Sequence, residues 1–456
     1  MKDSVILTRE FIELIEQLVA EKQAEELKRR LDEMHPADIA EMCDDMSVED
    51  ARYIYHLLDG EDAADVLIEM DEDARNELLE EVPSETIAKK FIDYMDTDDA
   101  VDIIRDMDEE KQEEVLAHIE DIEQAGDIVD LLKYDEDTAG GIMGKEMIVV
   151  NQEWSMPECI KQMRMQAEEI DELYNIYVVD NDNRLKGIFP LKTMITHPSV
   201  SKIKHVMEVD PVSIKDDAPI EDVARDFEKY DLVAMPVVDS IGRLVGRITV
   251  DDVMDQVRES SERDYQLASG LSTDVETDDS VFTQIRARMP WLLIGVIGGL
   301  AASWLLGLFE DFNPVLALFI PLICGTGGNV GIQSSAIIVQ GLANGSLELK
   351  DSGKQILKEL GVGLINALII ALVVFGYAVI FHSASISVPI SVALSVFSVV
   401  IFASIFGTFV PLTLERFNID PALATGPFIT ITNDIVGVVI YMAISSALID
   451  ALGAAL

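Results

Sequence analysis

One carboxylate, Asp434, lies inside a stretch that is otherwise apolar enough to cross a membrane, IDPALATGPFITITNDIVGVVIY. A carboxylate at the middle of a bilayer helix costs roughly 2.5–3.5 kcal/mol on insertion scales, so such residues usually face a polar path. The five apolar runs of the sequence contain no Lys, Arg or His that could neutralise it. We therefore predict that Asp434 binds a cation in a membrane pathway. The alternative is a protonated or hydrogen-bonded structural aspartate.

The number of ligands limits the kind of cation. One carboxylate per chain is too few for a caged Ca²⁺ or a transition-metal site, which need several oxygens, or His and Cys. It suits a hydrated Mg²⁺, which keeps several waters and contacts one or two carboxylates. A two-fold dimer would bring two Asp434 side chains to one pathway. Thr430, one helical turn earlier, and the neighbouring Asn433 add polar atoms near this site.

A second polar motif, PLICGTGGNVGIQSS, lies in the second apolar run. Gly327 and Gly331 form a small-xxx-small pair, which commonly marks close helix packing. Asn329 and Gln333, four residues apart, place two amides on one helix face. The motif fits either packing alone or packing beside a pore. Its four glycines in seven residues after a proline would weaken a helix, and freed backbone carbonyls are tolerated in a membrane only against protein or water, which favours the pore.

The distribution of charge divides the chain into an acidic part and a nearly uncharged part that contains Asp434. The chain has 456 residues and a net charge of −50, yet only four of its 34 basic and nine of its 84 acidic residues follow Pro290. The acidic part before Pro290 suits polyvalent cations rather than nucleic acid or anionic lipid, although solubility alone would also explain it. The three cysteines of the whole chain, Cys43, Cys159 and Cys324, are far apart, so no disulfide framework is predicted.

Five apolar runs follow, each long enough for the roughly 20 residues that a bilayer helix needs. Their predicted bounds are 291–309, 314–343, 360–381, 389–414 and 421–444. The loops at 310–312 and 382–388 contain no Lys or Arg, and Arg286 and Arg288 precede the first run. This is the positive-inside pattern for a cytosolic amino terminus and an external carboxyl terminus. In the last run, Asp420 and Pro421 have the residue types of an N-cap and a first helical position, so we expect that helix to begin there.

The acidic part contains two internal repeats. A rhythm of about twelve residues from Met34 to Ile119 gives short amphipathic helices with acidic first turns, which predicts a stacked helical superhelix. Segments 176–195 and 235–254 then align without gaps, sharing VVD, RL and a glycine, Gly187 or Gly246. Each is strand, turn, strand and helix, preceded by a helix. This second repeat resembles a tandem pair of CBS domains.

CBS domains often bind adenine nucleotides through a Thr-x-x-Asp motif. The second copy retains it as Thr249 and Asp252, whereas the first copy has Pro190 and Thr193 at those positions. ATP at the CBS pair is therefore left open. An acidic, mostly helical connector follows from Asp251 to about Gln284, in which Asp252, Asp255 and Glu259 share one helix face.

Together these features resemble the MgtE family of bacterial magnesium channels and transporters, most specifically in GGNVGIQSS and DPALATGPFITITND. The resemblance implies a multidomain membrane protein rather than an enzyme. Its parts would be an all-α superhelical amino domain (1–137), an α/β tandem CBS pair (138–258), a connecting plug helix (259–284) and an α-helical five-span pore domain (285–456). It also implies a homodimer in the cell membrane, with cytosolic amino-terminal domains.

The resemblance further implies which residues bind the ion. The pore residues would be Asp434, Asp420, Asn329, Gly328, Gln333, Thr430 and Asn433. The regulatory Mg²⁺ ligands would be Asp98, Asp102, Asp252, Asp255, Asp264, Glu221 and Asp231. Some family members have Asn where this chain has Gly426, and Arg263 stands where an acidic plug residue is expected.

The resulting hypothesis is Mg²⁺ uptake that cytosolic Mg²⁺ closes by bridging acidic surfaces. One rival is a membrane-tethered nucleotide or cation sensor that conducts nothing. A second rival is transport of another substrate such as an anion, against which the lack of basic residues in the spans argues.

Overall fold

The structure is a computed structural model. It describes residues 7–453 except 45, 81, 168–169, 171–172, 197–200, 274, 276–278, 309–313, 344, 348, 383–385, 418 and 425. The predicted external loop at 310–312 lies outside the described residues. The chain divides into two compact units, Met1–Gln256 and Val257–Leu456.

The first unit begins with a series of short helices, as the repeat predicted. Side-chain caps start several of them: the Ser47 hydroxyl accepts a hydrogen bond from the Asp50 amide, and the Asp108 and Asp121 carboxylates cap later helices. Each helix buries one apolar face in a shared core. The helices are α1 (Arg9–Ala20), α2 (Ala24–Leu31), α3 (Pro36–Asp44), α4 (Val48–Leu57), α5 (Gly60–Ile68), α6 (Glu72–Glu80), α7 (Ser84–Lys90), α8 (Thr97–Arg105), α9 (Glu109–His118) and α10 (Ile122–Leu131).

Two small sheets follow, one for each copy of the second repeat. In the first, β1 (Ile148–Asn151) is parallel to β2 (Ile176–Val179), which pairs antiparallel with β3 (Leu185–Phe189) and then β4 (Glu208–Val209). In the second, β5 (Ile214–Lys215) is parallel to β6 (Ala234–Val238), which pairs antiparallel with β7 (Leu244–Thr249). The accompanying helices are α11 (Met156–Gln166), α12 (Leu191–Thr196) and α13 (Ile220–Tyr230). The repeat therefore gives equivalent elements in both copies.

The two CBS copies pack together through an apolar cluster. Tyr177 and Val179 of β2 and Leu244 of β7 are buried in it. Backbone hydrogen bonds join the turns that precede β3 and β7, from the Leu185 amide to the Gly242 carbonyl and from the Leu244 amide to the Asn183 carbonyl. Helix α14 (Val250–Ser269) continues directly from β7.

The second unit contains five helices that are long and apolar enough to cross a membrane, by length and composition. These spans are Val281–Gly307, Pro314–Ala343, Ser352–Phe381, Ser387–Arg416 and Gly426–Leu448. The corresponding helices are α15 (Val281–Gly307), the short α16 (Pro314–Ala317), α17 (Ile320–Ala343), α18 (Ser352–His382), α19 (Ser387–Arg416) and α20 (Gly426–Gly453). The predicted number of spans is confirmed.

The predicted start of the last helix was wrong. Residues Pro421–Ala424 form a separate 3-10 turn, and α20 begins at Gly426. Asp420 caps that turn, since its Oδ1 accepts a hydrogen bond from the Ala422 amide at 2.7 Å. Gly426 has a φ of +52°, and Pro427 occupies the first turn of α20, where a proline needs no amide partner. Counted from Gly426, Asp434 lies only about 12 Å along its own helix, at roughly 1.5 Å per residue, whereas a helix beginning at Asp420 would have placed it about 21 Å along.

Candidate ion pathway and acidic regulatory cluster

The side chain of Asp434 lies against the glycine motif of α17. A Cβ atom built on Gly328 would lie 3.8 Å from Asp434 Oδ1 and 3.3 Å from Thr430 Cγ2. Asp434 Oδ1 is buried and has no hydrogen-bond partner among the described residues. The Thr430 hydroxyl donates to the Gly426 carbonyl at 2.9 Å. The structure thus brings together Gly328, Thr430 and Asp434, three of the predicted pore residues.

Asn433 points in another direction, into the contact between α17 and α20. It is 1% exposed, and a Cβ on Gly331 would lie 2.0 Å from its Nδ2 atom. On the other side of α17, a Cβ on Gly407 of α19 would lie 2.4 Å from the Gly331 carbonyl oxygen. Gly331 is therefore the point where three helices approach closely. Despite its glycines, α17 remains a continuous helix.

The other predicted pore residues lie on open surface of the single chain. Asn329 and Gln333 are exposed and share one face of α17, as their spacing predicted. Asp420 is also exposed, in the segment before the 3-10 turn. These three are not in the group formed by Gly328, Thr430 and Asp434.

Sequence reasoning missed a second buried carboxylate in this unit. Glu359 is 8% exposed and lies in the second turn of α18, which begins eight residues before the predicted span. The Ser334 and Ser404 hydroxyls donate to its Oε1 atom at 2.6 and 3.0 Å. The sequence does place Glu359 directly before a long apolar run, which could have marked it as part of the span. A carboxylate at that position is also what a loop before a span commonly contains.

In the first unit, an acidic cluster forms where α8 meets the CBS pair. Ligand oxygens of Asp96, Asp98 and Glu146 lie within 4.8 Å of one another, close enough for a single metal ion to contact all three. The Thr97 amide and hydroxyl donate to the two oxygens of Glu146, both at 3.0 Å. A Cβ on Gly144 would lie 2.6 Å from Asp98 Oδ2, so only a glycine lets the loop approach this closely.

Asp98 belongs to the predicted regulatory ligands, and its environment is strongly unfavourable for negative charge. Burial raises the pKa of its carboxyl well above 3.8, and the nearby carboxylates of Asp252, Asp99, Glu146 and Asp96 raise it further. Burial likewise raises the pKa of Asp252, against the hydrogen bonds from Thr249 that lower it. A divalent cation would relieve this repulsion.

Asp252 is the carboxylate of the Thr-x-x-Asp motif. Its Oδ2 atom accepts a hydrogen bond from the Thr249 amide at 2.9 Å and another from the Thr249 hydroxyl. These bonds fix one oxygen of the carboxylate. Asp252 thus occupies the predicted nucleotide position and also lies near enough to Asp98 for its charge to raise the pKa of that carboxyl.

Sequence reasoning also missed Glu146, Asp96 and the buried cation beside them. Arg247 of β7 is 6% exposed; its Nη2 donates to Asp96 Oδ2 at 3.2 Å, and its Nε donates to the Glu146 carbonyl. Arg247 also lies 5.7 Å from the ring centroid of Tyr174. No local pattern reveals these partners, because they are about 70 to 150 residues from Arg247 in sequence.

The remaining predicted ligands lie in more open positions. Asp102, one turn beyond Asp98, is exposed and contacts Arg105 at 3.4 Å. Asp255 is exposed near the start of α14, and Asp264 is half-buried toward its end. Glu221 and Asp231 are exposed at opposite ends of α13, and Asp231 is in the left-handed conformation that ends the helix. Arg263 pairs with Glu259 at 2.7 Å on the same helix.

Comparison with known protein families accounts for most of the chain. A family model described as a divalent cation transporter, MgtE, matches residues 320–444. The model of the MgtE intracellular N domain matches residues 34–137, and the CBS model matches residues 139–199 and 203–259. The chain belongs to the MgtE family.

Two relatives named magnesium transporter MgtE are similar to this chain over most of their length. The magnesium transporter MgtE of Thermus thermophilus is 34% identical over 331 residues, which cover 70% of this chain and 72% of that protein. The magnesium transporter MgtE of Enterococcus faecalis is 30% identical over 327 residues, covering 71% and 72%. The MgtE assignment is thus supported by two relatives matched over more than two thirds of their length as well as by the domain models.

Solved structures match the soluble MgtE domains. The soluble part of a magnesium transporter is 27% identical with a TM-score of 0.50, covering 55% of this chain and 98% of that one. The cytosolic domain of the Mg²⁺ channel MgtE in complex with ATP is 30% identical with a TM-score of 0.50, covering 53% and 98%. The helical amino domain and the CBS pair therefore have the MgtE cytosolic fold.

Proposed function

We propose that this MgtE-family protein is a Mg²⁺-selective, channel-like uptake protein of the cell membrane that cytosolic Mg²⁺ closes. The observation that carries the proposal is the position of Asp434 Oδ1 beside Gly328 in a membrane span. This oxygen is buried and has no hydrogen-bond partner among the described residues. An ion pathway explains why a carboxylate is retained where it is costly. Asp434 would contact the water shell of Mg²⁺, and the missing Cβ at Gly328 leaves room for that shell.

The proposed assembly is a homodimer with one pathway on the two-fold axis. Two copies would supply two Asp434 carboxylates to the same ion. Asn329 and Gln333, exposed on the single chain, would then line the pathway, and Asp420 would attract cations at its cytosolic mouth. The first unit would be cytosolic and the carboxyl terminus external, following the distribution of Lys and Arg.

The proposed sensor is the acidic cluster of the first unit, Met1–Gln256, which we call the soluble unit. At high cytosolic Mg²⁺, ions bind between Asp98 of α8 and Asp252 of α14. The two carboxylates repel one another without a cation, and a bound Mg²⁺ removes that repulsion. Asp102, Asp255, Asp264, Glu221 and Asp231 supply further ligands. At low Mg²⁺ the repulsion separates these surfaces and frees the connecting helix. Charges further apart than about 8 Å are screened at physiological salt, so only carboxylates in near contact contribute.

A nucleotide is a second proposed ligand of the soluble unit. One structural neighbour is an MgtE cytosolic domain in complex with ATP. In this chain Asp252 would contact the ribose hydroxyls, with Thr249 orienting the carboxylate. ATP and regulatory Mg²⁺ would then be coupled through the same side chain.

The deciding experiment is ion flux through the purified full-length protein in proteoliposomes. We expect Mg²⁺ flux in the wild type, little Cl⁻ flux, and a loss of Mg²⁺ flux of tenfold or more in Asp434→Asn, on the order of one lost charge-assisted contact. Equal amounts of folded protein must be reconstituted. An Asp434→Asn protein that still supports growth of a Mg²⁺-requiring strain would instead favour the sensor without conduction.

A further inference from the structure

Glu359 is a buried carboxylate that the proposed ion pathway does not use. It belongs to α18, whereas the pathway residues Gly328 and Asp434 belong to α17 and α20. Taking a carboxylate into a membrane domain is costly unless polar partners satisfy it. Its recorded partners are hydroxyls, Ser334 of α17 and Ser404 of α19. Glu359 is therefore the common acceptor that joins three helices at one level.

The two serines are themselves buried and close together. Ser334 is 3% and Ser404 1% exposed, and their Oγ atoms are 3.4 Å apart. One turn further along α18, a Cβ on Gly363 would lie 2.8 Å from Ser404 Oγ, so a glycine is needed for α18 to approach α19 here. The two serines and Gly363 therefore bring α17, α18 and α19 into close contact at this level.

This cluster is adjacent to the close crossing of α17 and α19. Ser334 follows Gly331 by three residues, and Ser404 precedes Gly407 by three residues, so each serine is about one turn from the crossing. The Gly331 carbonyl packs on Gly407, with no room for a Cβ. The hydrogen bonds to Glu359 therefore join the two helices about one turn away from their close crossing.

The same part of α17 forms the wall opposite Asp434. Gly328 lies one turn before Gly331 and borders Thr430 and Asp434. If the hydrogen bonds from Ser334 and Ser404 to Glu359 are lost, α17 can shift relative to α20. Gly328 would move with it, because it belongs to α17. A shift of a few tenths of an ångström would change the room beside Asp434 for a hydrated ion.

We propose that Glu359 is a positioning residue of the ion pathway: by accepting hydrogen bonds from Ser334 and Ser404 it holds the Gly328 wall at the distance from Asp434 that suits hydrated Mg²⁺. This inference rests on the proposed role of Asp434. Glu359 itself does not contact the ion. What it requires is two acceptor hydrogen bonds, not a negative charge.

The test compares Glu359→Gln, Glu359→Ala and the double variant Ser334→Ala with Ser404→Ala, all in full-length protein. The Gln amide oxygen can still accept both hydrogen bonds, so we expect Glu359→Gln to keep the wild-type KM for Mg²⁺ and the wild-type Mg²⁺/Co²⁺ flux ratio. Glu359→Ala and the double serine variant should change KM or the flux ratio by about fivefold, the equivalent of one net hydrogen bond. Size-exclusion profiles and thermal midpoints establish that the compared proteins are folded.

Each result decides between positioning and its alternatives. A folded Glu359→Gln protein as impaired as Glu359→Ala would mean that the charge itself is used, and would overturn the proposal. Wild-type KM and flux ratio in a folded double serine variant would overturn it as well, even if Glu359→Ala fails to fold. Asp434→Asn is measured in parallel: wild-type flux there rejects the proposed pathway, whereas loss of flux there with unaffected serine variants rejects only the role of Glu359.

Discussion

Arg247 of the second CBS copy donates a hydrogen bond to the carboxylate of Asp96, 3.2 Å away, across the contact between the CBS pair and the helical amino domain. The same guanidinium donates through Nε to the Glu146 carbonyl, and Arg247 is almost fully buried. A fixed positive charge thus lies within the acidic cluster that we propose as the Mg²⁺ sensor. It gives the two domains a tether that does not depend on the concentration of Mg²⁺.

Arg247→Met is expected to weaken this tether in metal-free protein. The substitution removes the hydrogen bonds that Arg247 donates to the Glu146 carbonyl and to the Asp96 carboxylate, at a cost of about 1 kcal/mol or on the order of fivefold in domain opening. Limited proteolysis of full-length protein in EDTA should accordingly be faster, with a smaller difference at saturating Mg²⁺. Arg243→Met is the matched control, because Arg243 pairs with Asp239 in an exposed turn of the same domain. Equal cleavage rates for both variants would contradict the tether.

Asp252→Ala combined with Asp255→Ala is expected to raise Mg²⁺ flux at millimolar cytosolic Mg²⁺ by about fivefold or more, the usual scale of an allosteric coupling. Without these carboxylates, bound Mg²⁺ no longer stabilises the closed arrangement. Asp130→Ala is the control, since Asp130, near the end of α10, pairs with the exposed Lys133 that follows the helix. Flux measured against internal Mg²⁺ concentration provides the comparison, and unchanged inhibition in the double variant would exclude bridging by these residues.

The metal-free soluble unit is expected to lose stability as the pH rises. The pKa values of Asp98 and Asp252 are raised above 3.8 in the folded protein, so the folded state binds more protons than the unfolded state. Their contribution is fully favourable below the unfolded pKa and is lost as the pH passes upward through the folded pKa. In EDTA, full-length protein should therefore have a higher thermal midpoint at mildly acidic than at mildly alkaline pH.

Asp98→Asn tests the origin of that pH dependence. The variant should flatten the dependence and raise the midpoint in EDTA at alkaline pH, since an amide carries no charge to repel Asp252. Asp130→Asn should leave the dependence in place, because a hydrogen bond from Lys133 lowers rather than raises the pKa of Asp130. A wild-type slope in Asp98→Asn would show that other groups cause the effect.

Gly331→Ala is expected to destabilise the membrane unit by about 1–3 kcal/mol, the usual cost of overpacking. The added Cβ would lie 2.0 Å from Asn433 Nδ2 and 2.6 Å from Ile429 Cγ2, so α20 must move. Gly325→Ala is the control on the same helix, where an added Cβ meets nothing within 4 Å. Thermal midpoints in detergent should fall for Gly331→Ala alone; equal midpoints would mean that the two helices are loosely packed.

The sequence was sufficient to predict those elements of the fold that are specified within a single segment. The helical repeat, the duplicated strand-turn-strand unit and the five spans each have a periodicity that one segment is enough to reveal. Asp434 could be singled out for the same reason, as one charge in an apolar run. The start of α20 was misplaced because Asp420 and Pro421 have the residue types of a helix start but form a 3-10 turn.

Contacts between distant segments could not be predicted in this way. Glu359 is satisfied by Ser334 and Ser404, 25 and 45 residues away, and neither serine differs from an ordinary small residue in a span. Glu146 and Arg247 likewise acquire their significance only when β7 and the loop after Gly144 come together. These partners are decided by tertiary packing, which no single segment of the sequence specifies.

The close contact between the end of α14 and the start of α20 has a mechanical consequence. A Cβ on Gly426 would lie 2.3 Å from the Ala268 carbonyl oxygen, and a Cβ on Gly270 would lie 2.6 Å from Pro427. The helix that carries Asp434 therefore abuts the last turn of the connecting helix, without an intervening loop to absorb motion. A tilt of the end of α14 would therefore displace the first turn of α20, and Asp434, about two turns further along the same helix, would move with it.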